Sequence, residues 1–207
     1  MKTKVISTSK SMVAEHEGFS LVELLISMVI SLVILAAGVA VFSGALSTRS
    51  RETSKTDAIT SAEAALNIMS REIGNSGYGL TDNGIITDST SSMLHCRANI
   101  INNNGTTTDP GEDLMFYLDG TSANRSVVRH DNSTGETSGI INRISSVNFV
   151  YHVTPGDAGV AAGPTVNVVT ITLVVELENV QGQPTGQTVT VSSNVTLRNS
   201  PTMRGQY

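Results

Sequence analysis

The stretch from Gly18 to Leu46, GFSLVELLISMVISLVILAAGVAVFSGAL, restricts this chain more than any other. After Phe19 it is apolar or small throughout except for one carboxylate, Glu23, and from Leu24 to Leu46 it carries no charge. At about 1.5 Å per helical residue the uncharged part reaches roughly 35 Å, enough to cross a hydrocarbon core of about 30 Å with some tilt. The segment therefore reads as a membrane helix. A carboxylate in such a helix costs on the order of 2.5 to 3.5 kcal/mol at the centre and less near the interface. Glu23 needs a reason to be there.

Two ordinary readings leave something over. A secretory signal would use Gly38-Val39-Ala40 as its cleavage signal, but it would need a leader carrying Glu15, Glu17 and Glu23 and an apolar core longer than the usual 7 to 15 residues or so. A single-span anchor accounts for the length and not for Gly18-Phe19-Ser20-Leu21-Val22-Glu23 at its threshold. The run Gly18-Phe19-Ser20-Leu21-Val22-Glu23-Leu24-Leu25 resembles the processing motif of type IV prepilins and of the pseudopilins of type II secretion. The resemblance implies a cut between Gly18 and Phe19 by a prepilin peptidase and methyltransferase, methylation of the new N-terminal Phe19, and an assembly role for Glu23. It also implies that the apolar segment stays in the mature protein, whose partners are other pilins or pseudopilins joined through the N-terminal helix.

The residue chemistry agrees with each role. Glycine puts no side chain in the way of a peptidase, and its backbone freedom lets the scissile bond extend. The cut creates a cationic amine at Phe19, which the Glu23 carboxylate of the same or a neighbouring subunit can meet at low dielectric when helices bundle. The alternative, Glu23 snorkelling to the interface, remains open at this point.

The 207 residues suit one domain plus a long helix. Residues 1–18 hold three basic and two acidic residues, so their removal takes the formal charge from −5 to −6 and leaves no basic footprint for nucleic acid. The single cysteine, Cys96, forbids an internal disulfide, a departure from many major pilins. Lys2, Lys4 and Lys10 before the apolar segment are balanced by Arg49, Arg51 and Lys55 after it, so loop charge does not orient the span. Orientation comes from the resemblance, which implies a single pass through the inner membrane with the C-terminal domain periplasmic, then a pilus or pseudopilus filament at the cell surface.

Along the chain we expect a leader at 1–18, a transmembrane or filament-core helix at 19–46, its amphipathic continuation at 47–77 and a globular antiparallel β-sheet domain at 78–207. Ala58, Ala62, Ala65, Leu66, Met69 and Ile73 recur at three- and four-residue steps, which predicts a buried stripe, and Gly74 and Gly77 are the stop signals. The apolar half lacks the kinking proline of many major pilins, which inclines the resemblance toward minor pilins and pseudopilins. Residues 80–112 read as variable loops, with Ile85-Ile86 and Met93-Leu94 as candidate short strands and Asn102-Asn103-Asn104-Gly105 as turn chemistry. Period-two alternation marks strands at 114–118 and 126–130 around a turn at 119–124, then at 140–153, 165–177 and 187–198, with Gly182, Pro184 and Gly186 as turn residues. The whole is α+β, a pilin-like fold with a long helix covering one face of an antiparallel sheet. Gly77-Tyr78-Gly79, Ile144 to Tyr151 and Val195 to Asn199 are similar to segments of the PilW-like minor pilins and the related larger minor pseudopilins.

No catalytic constellation emerges, and the chain reads as non-enzymatic, with no cofactor and no metal. His95-Cys96 falls short of a zinc set. Asp109-Pro110-Gly111-Glu112-Asp113 reads as a solvated acidic turn, with loop calcium as the alternative. The expected function is a structural minor pilin taking part in type IV pilus assembly at initiation or the tip. The alternatives are a type II secretion minor pseudopilin and, from another class, a membrane-anchored periplasmic binding protein that does not polymerise.

Overall fold

In the computed structural model, which describes residues 18–102, 104–121, 124–179 and 184–205, the chain divides into two units, Met1–Leu46 and Ser47–Tyr207. The expected leader up to residue 17, Asn103, the middle of the turn at 119–124 and Gly182 lie outside the described residues. The first element is α1 (Leu21–Gly74), whose residues up to Leu46 belong to the first unit and whose remainder belongs to the second.

In the second unit α1 buries Ser54, Ala58, Ala62, Ala65, Leu66, Met69 and Ile73. Three alanines in that row keep its first two turns shallow, and the larger Met69 and Ile73 carry the buried bulk toward its end. Seven strands lie under it among the described residues: β1 (Met93–Arg97), β2 (Asp113–Thr121), β3 (Asn124–Asp131), β4 (Thr137–Asn142), β5 (Ile144–His152), β6 (Val168–Glu176) and β7 (Thr188–Thr196). All pair antiparallel with their sequence neighbours within a sheet.

The strands form two sheets, β1-β2-β3-β4 and β5-β6-β7, where the alternation suggested one. The break falls inside the run read as a single strand over 140–153. Arg143 adopts φ 56, a left-handed conformation outside the extended range in which a non-glycine residue continues a strand, and it separates Asn142 at the end of β4 from Ile144 at the start of β5. Both sheets still contribute to one core: Phe116, Val127, Phe149, Ile171 and Leu173 are buried in the same cluster as the α1 stripe. The β2–β3 hairpin is also longer than expected, pairing out to Thr121 and Asn124.

The end of α1 is fixed by backbone geometry. Gly77 has φ 77 and its amide donates to the Arg97 carbonyl at 2.8 Å, while the Arg97 amide donates to the Gly84 carbonyl at 2.8 Å. A Cβ on Gly84 would lie 2.1 Å from the Arg97 carbonyl oxygen, so this crossing of three chain segments admits no side chain there. At the other terminus Ser200 caps the short α2 (Pro201–Arg204), and Arg204 donates to the carbonyls of Gly77, Leu80 and Asp82 at 2.6 to 2.9 Å, closing the chain onto the same crossing.

A charged network holds β1 to β2 on the face away from the core. The His95 ring faces Asp88 at 2.9 Å from Nδ1 and Asp113 at 2.6 Å from Nε2; Arg97 Nε and Asn132 Nδ2 each donate to Asp113 at 2.7 Å. Burial pushes the Asp113 carboxyl up, but the Asn132 and His95 hydrogen bonds with the Arg97 and His95 charges outweigh it, holding Asp113 below the usual carboxylate range. A carboxyl depressed by folding stabilises the fold above the unfolded pKa, about 4, and loses that contribution as pH falls through the folded value. Asp113→Asn is therefore expected to destabilise the detergent-solubilised mature protein by about 3 kcal/mol at pH 7. In thermal unfolding the gap to wild type should close as pH falls below about 4; an equal gap at pH 7 and pH 3 would refute the assignment.

Candidate processing and assembly segment

Gly18, Phe19 and Ser20 precede α1 and are not helical. The Ser20 carbonyl accepts the first helical hydrogen bond, from the Leu24 amide at 3.1 Å, which places Ser20 at the cap position serine favours. The Gly18–Phe19 peptide thus lies just outside the hydrogen-bonded ladder. Phe19 is 79% exposed, and nothing stands within 4 Å of where a Cβ on Gly18 would be. A peptidase has to draw a bond into an extended conformation, and this one requires no helix to unwind first.

Glu23 sits in the first turn of α1, where the partial positive charge of the helix N-terminus favours a carboxylate. Its carbonyl accepts from the Ser27 hydroxyl at 2.8 Å, which satisfies a polar group otherwise surrounded by apolar side chains. Among the described residues the Glu23 carboxylate has no ion-pair partner. From Leu21 onward the unit is exposed on every face, Leu21 at 82% and Val41 at 74% among them. A helix apolar all round finds its solvent in lipid or in other helices.

Among its described residues the second unit gathers no comparable site. Successive strand side chains point to opposite faces, so Cys96 enters the core while His95 joins the Asp88–Asp113 network on the other side; they do not converge on one ion. His130 lies two strands from His95, in the same cross-strand row through Met115, and its Nδ1 hydrogen-bonds with the Thr137 hydroxyl, while His152 lies in the other sheet and hydrogen-bonds with Thr170. The acidic turn is not solvated. Glu112 is fully buried, and its carboxylate accepts from the Ile100 and Ile101 amides at 2.9 and 3.0 Å and from the Asp109 amide at 3.4 Å. Both of its oxygens organise backbone, which removes it as a ligand in the expected calcium alternative. Sequence reasoning missed this role because its closest-held partners, the Ile100 and Ile101 amides, lie more than ten residues away and are backbone groups that carry no residue-type signal. It also missed the Arg129–Glu72 pair, 2.9 Å, which ties β3 to α1 across 57 residues of chain.

A family model described as the prokaryotic N-terminal methylation motif matches residues 16–39, a span containing Gly18, Phe19, Glu23 and most of the apolar run. No curated protein and no solved structure matches the chain. The motif supports a type IV pilin-like or pseudopilin-like protein, a structural subunit processed by prepilin peptidase and assembled with other pilins. With the exposed apolar helix it also supports membrane anchoring.

The thiol offers a check on the reading of the second unit as structural. Burial pushes the Cys96 thiol well above its ordinary value, the Glu72 and Asp113 charges push it further, and Arg129 opposes them. Cys96 is expected to resist a water-soluble thiol reagent at pH 8 in the folded protein and to react promptly in denaturant. Equal rates in the two states would place it at the surface.

Proposed function

We propose that this chain is a minor pilin of the PilW-like kind, cut between Gly18 and Phe19, methylated at Phe19 and built into a type IV pilus at initiation or at the tip. The observation that carries the reading is an exposed, non-helical Gly18–Phe19 bond followed four residues later by the lone carboxylate of an otherwise uncharged helix surface.

The cut gives this arrangement its function. Before it, the carboxylate must remain near the interface, because carrying it inward costs on the order of 2.5 to 3.5 kcal/mol. After it, each mature chain begins with an amine. Two unit charges 4 Å apart attract by about 4 kcal/mol at an effective dielectric of 20, which is comparable to the penalty. A helix that docks with its Glu23 opposite a neighbour's amine recovers what burial costs, and one that docks out of register does not. The apolar surface supplies adhesion without direction, and the charge pair sets the axial position. The absence of proline from the apolar half of the helix, and a single cysteine that forbids an intramolecular disulfide, support the minor rather than the major class of subunit.

Two variants test the reading in cells with their own assembly machinery. Gly18→Asp is expected to leave the protein uncleaved in the membrane, whereas wild type should begin at Phe19 and be one methyl group heavier than the bare chain. Glu23→Ala is expected to be cleaved and inserted normally, with at least a tenfold fall in its amount in sheared filaments. A mature chain beginning after Ala40 would overturn the processing claim. Unchanged incorporation of the Glu23 variant would favour an anchored protein that does not polymerise.

A further inference from the structure

Each sheet has two edges, and among the described residues three of the four are blunted. The outer side of β1 is occupied by Ile85, which bridges to Cys96, and by the Ile86 amide, which donates to the His95 carbonyl at 3.0 Å. The outer side of β5 is occupied by the Ser91 carbonyl, which accepts from the Phe149 amide at 2.8 Å, and by Val160, which bridges to Tyr151. β4 is six residues long, has Gly139 in its middle and lies against a register shift at Val127/Val128. Short strands, bulges and covering segments are the devices that keep an edge from pairing with another chain.

Among the described residues β7 has none of them. It is nine residues long, pairs with β6 in unbroken register from Thr188 to Thr196, and contains no charge, proline or glycine. Its core-side residues are also incompletely covered. Val189 and Val191 are half-buried, while the β6 residues directly opposite them, Val175 and Leu173, are buried. A further strand alongside would complete that cover.

We propose that the free edge of β7 accepts a β-strand from a different subunit of the same assembly, which extends the β5-β6-β7 sheet. An added strand about 30 Å long at a spacing of about 5 Å covers far less than the roughly 1,000 Å² a stable interface needs. The strip is uncharged, so it does not steer a partner from solution either. Its occupant is therefore a protein already held nearby by another contact, and the N-terminal helix supplies that contact at high effective concentration. A second copy does not fit through the same edge. α1 runs along β7, with Ser54 bonded to the Glu178 amide beside Gln187 at one end and Gly74 against Thr196 at the other. Antiparallel β7–β7 pairing would reverse one α1 relative to the other, and two subunits of one filament point the same way.

This inference rests on the assembly reading above, and the test separates the two. Amide hydrogen exchange is followed in the mature wild-type chain in detergent and in filament-bearing membrane fractions. The β7 amides that point away from β6 should slow at least tenfold on assembly, with β3 amides as the unchanged standard. Thr190→Pro and Val191→Pro remove successive amides, one facing β6 and one facing outward. One variant should melt at a lower temperature, and the other should melt like wild type yet lose the assembly-dependent protection. A photo-crosslinking phenylalanine at Thr190 should give an adduct heavier than one chain and different in mass from two. Exchange unaltered by assembly in a chain that does enter filaments, or adducts of two copies alone, would overturn the strand-addition claim and leave the assembly reading standing. A chain that never enters filaments would overturn both.

Discussion

An uncharged helical surface exposed on every side governs this protein. From Leu24 to Leu46 no side chain carries a charge, and none of those residues is buried within its own chain. At about 25 cal/mol per Å² of apolar surface, leaving such a segment in water is far more costly than any local interaction in the second unit could offset. The chain is therefore incomplete alone. Lipid completes it first, and helices of neighbouring subunits complete it again when filaments form. On the proposed reading Glu23 acquires its meaning from that sequence of environments: tolerable at an interface, expensive in a dry bundle, and neutralised once a processed N-terminus stands beside it.

The same helix solves a different problem from Ser54 onward, and that part was legible in the sequence. Ala58, Ala62, Ala65, Leu66, Met69 and Ile73 occur at helical spacing, and every one is buried. The period-two runs were equally informative, with Val169, Ile171, Leu173 and Val175 all buried in β6. Periodicity reports which face of an element is covered. It does not report which elements share a sheet, because a strand alternates in the same way whether its neighbour belongs to the same layer or to another. The division into two sheets turned on the left-handed backbone at Arg143, and arginine carries no sequence signal for that conformation. Residues 80–112 were opaque for a related reason. Their order comes from one buried carboxylate, Glu112, and from the two-sided grip on His95, and both depend on partners distant in sequence.

Those polar groups clarify where function does not lie. Asp113 spends its oxygens on His95, Arg97 and Asn132, Glu112 on backbone amides, and Glu72 on Arg129. A carboxylate whose lone pairs are engaged by fixed donors is a structural member, since releasing it for a ligand would leave buried donors unpaired at about 1 to 3 kcal/mol each. Glu112 and Asp113, read from the sequence as part of a solvated turn with loop calcium as the alternative, are instead internal bracing of a β-rich domain with few aromatic residues to hold it.

Apolar burial gives strength without direction, and this determines what the remaining surface must provide. A bare helix slides and rotates against its neighbours at little cost, so a subunit that occupies one place in a filament needs directional contacts in addition. In the proposed assembly the Glu23 carboxylate is one such contact, since a charge in a low-dielectric bundle is satisfied at one axial height and penalised at others. It acts along the helix and is blind to which subunit stands alongside, because any processed partner presents the same amine. A strand edge complements it: backbone hydrogen bonds fix orientation, and the alternate side chains beside them read the partner's identity. Among the described residues β7 is the edge left unprotected, and it runs beside the helix that carries Glu23. In the proposed assembly, register set by a charge and identity read by a strand are separable tasks, the first placed on Glu23 and the second on β7.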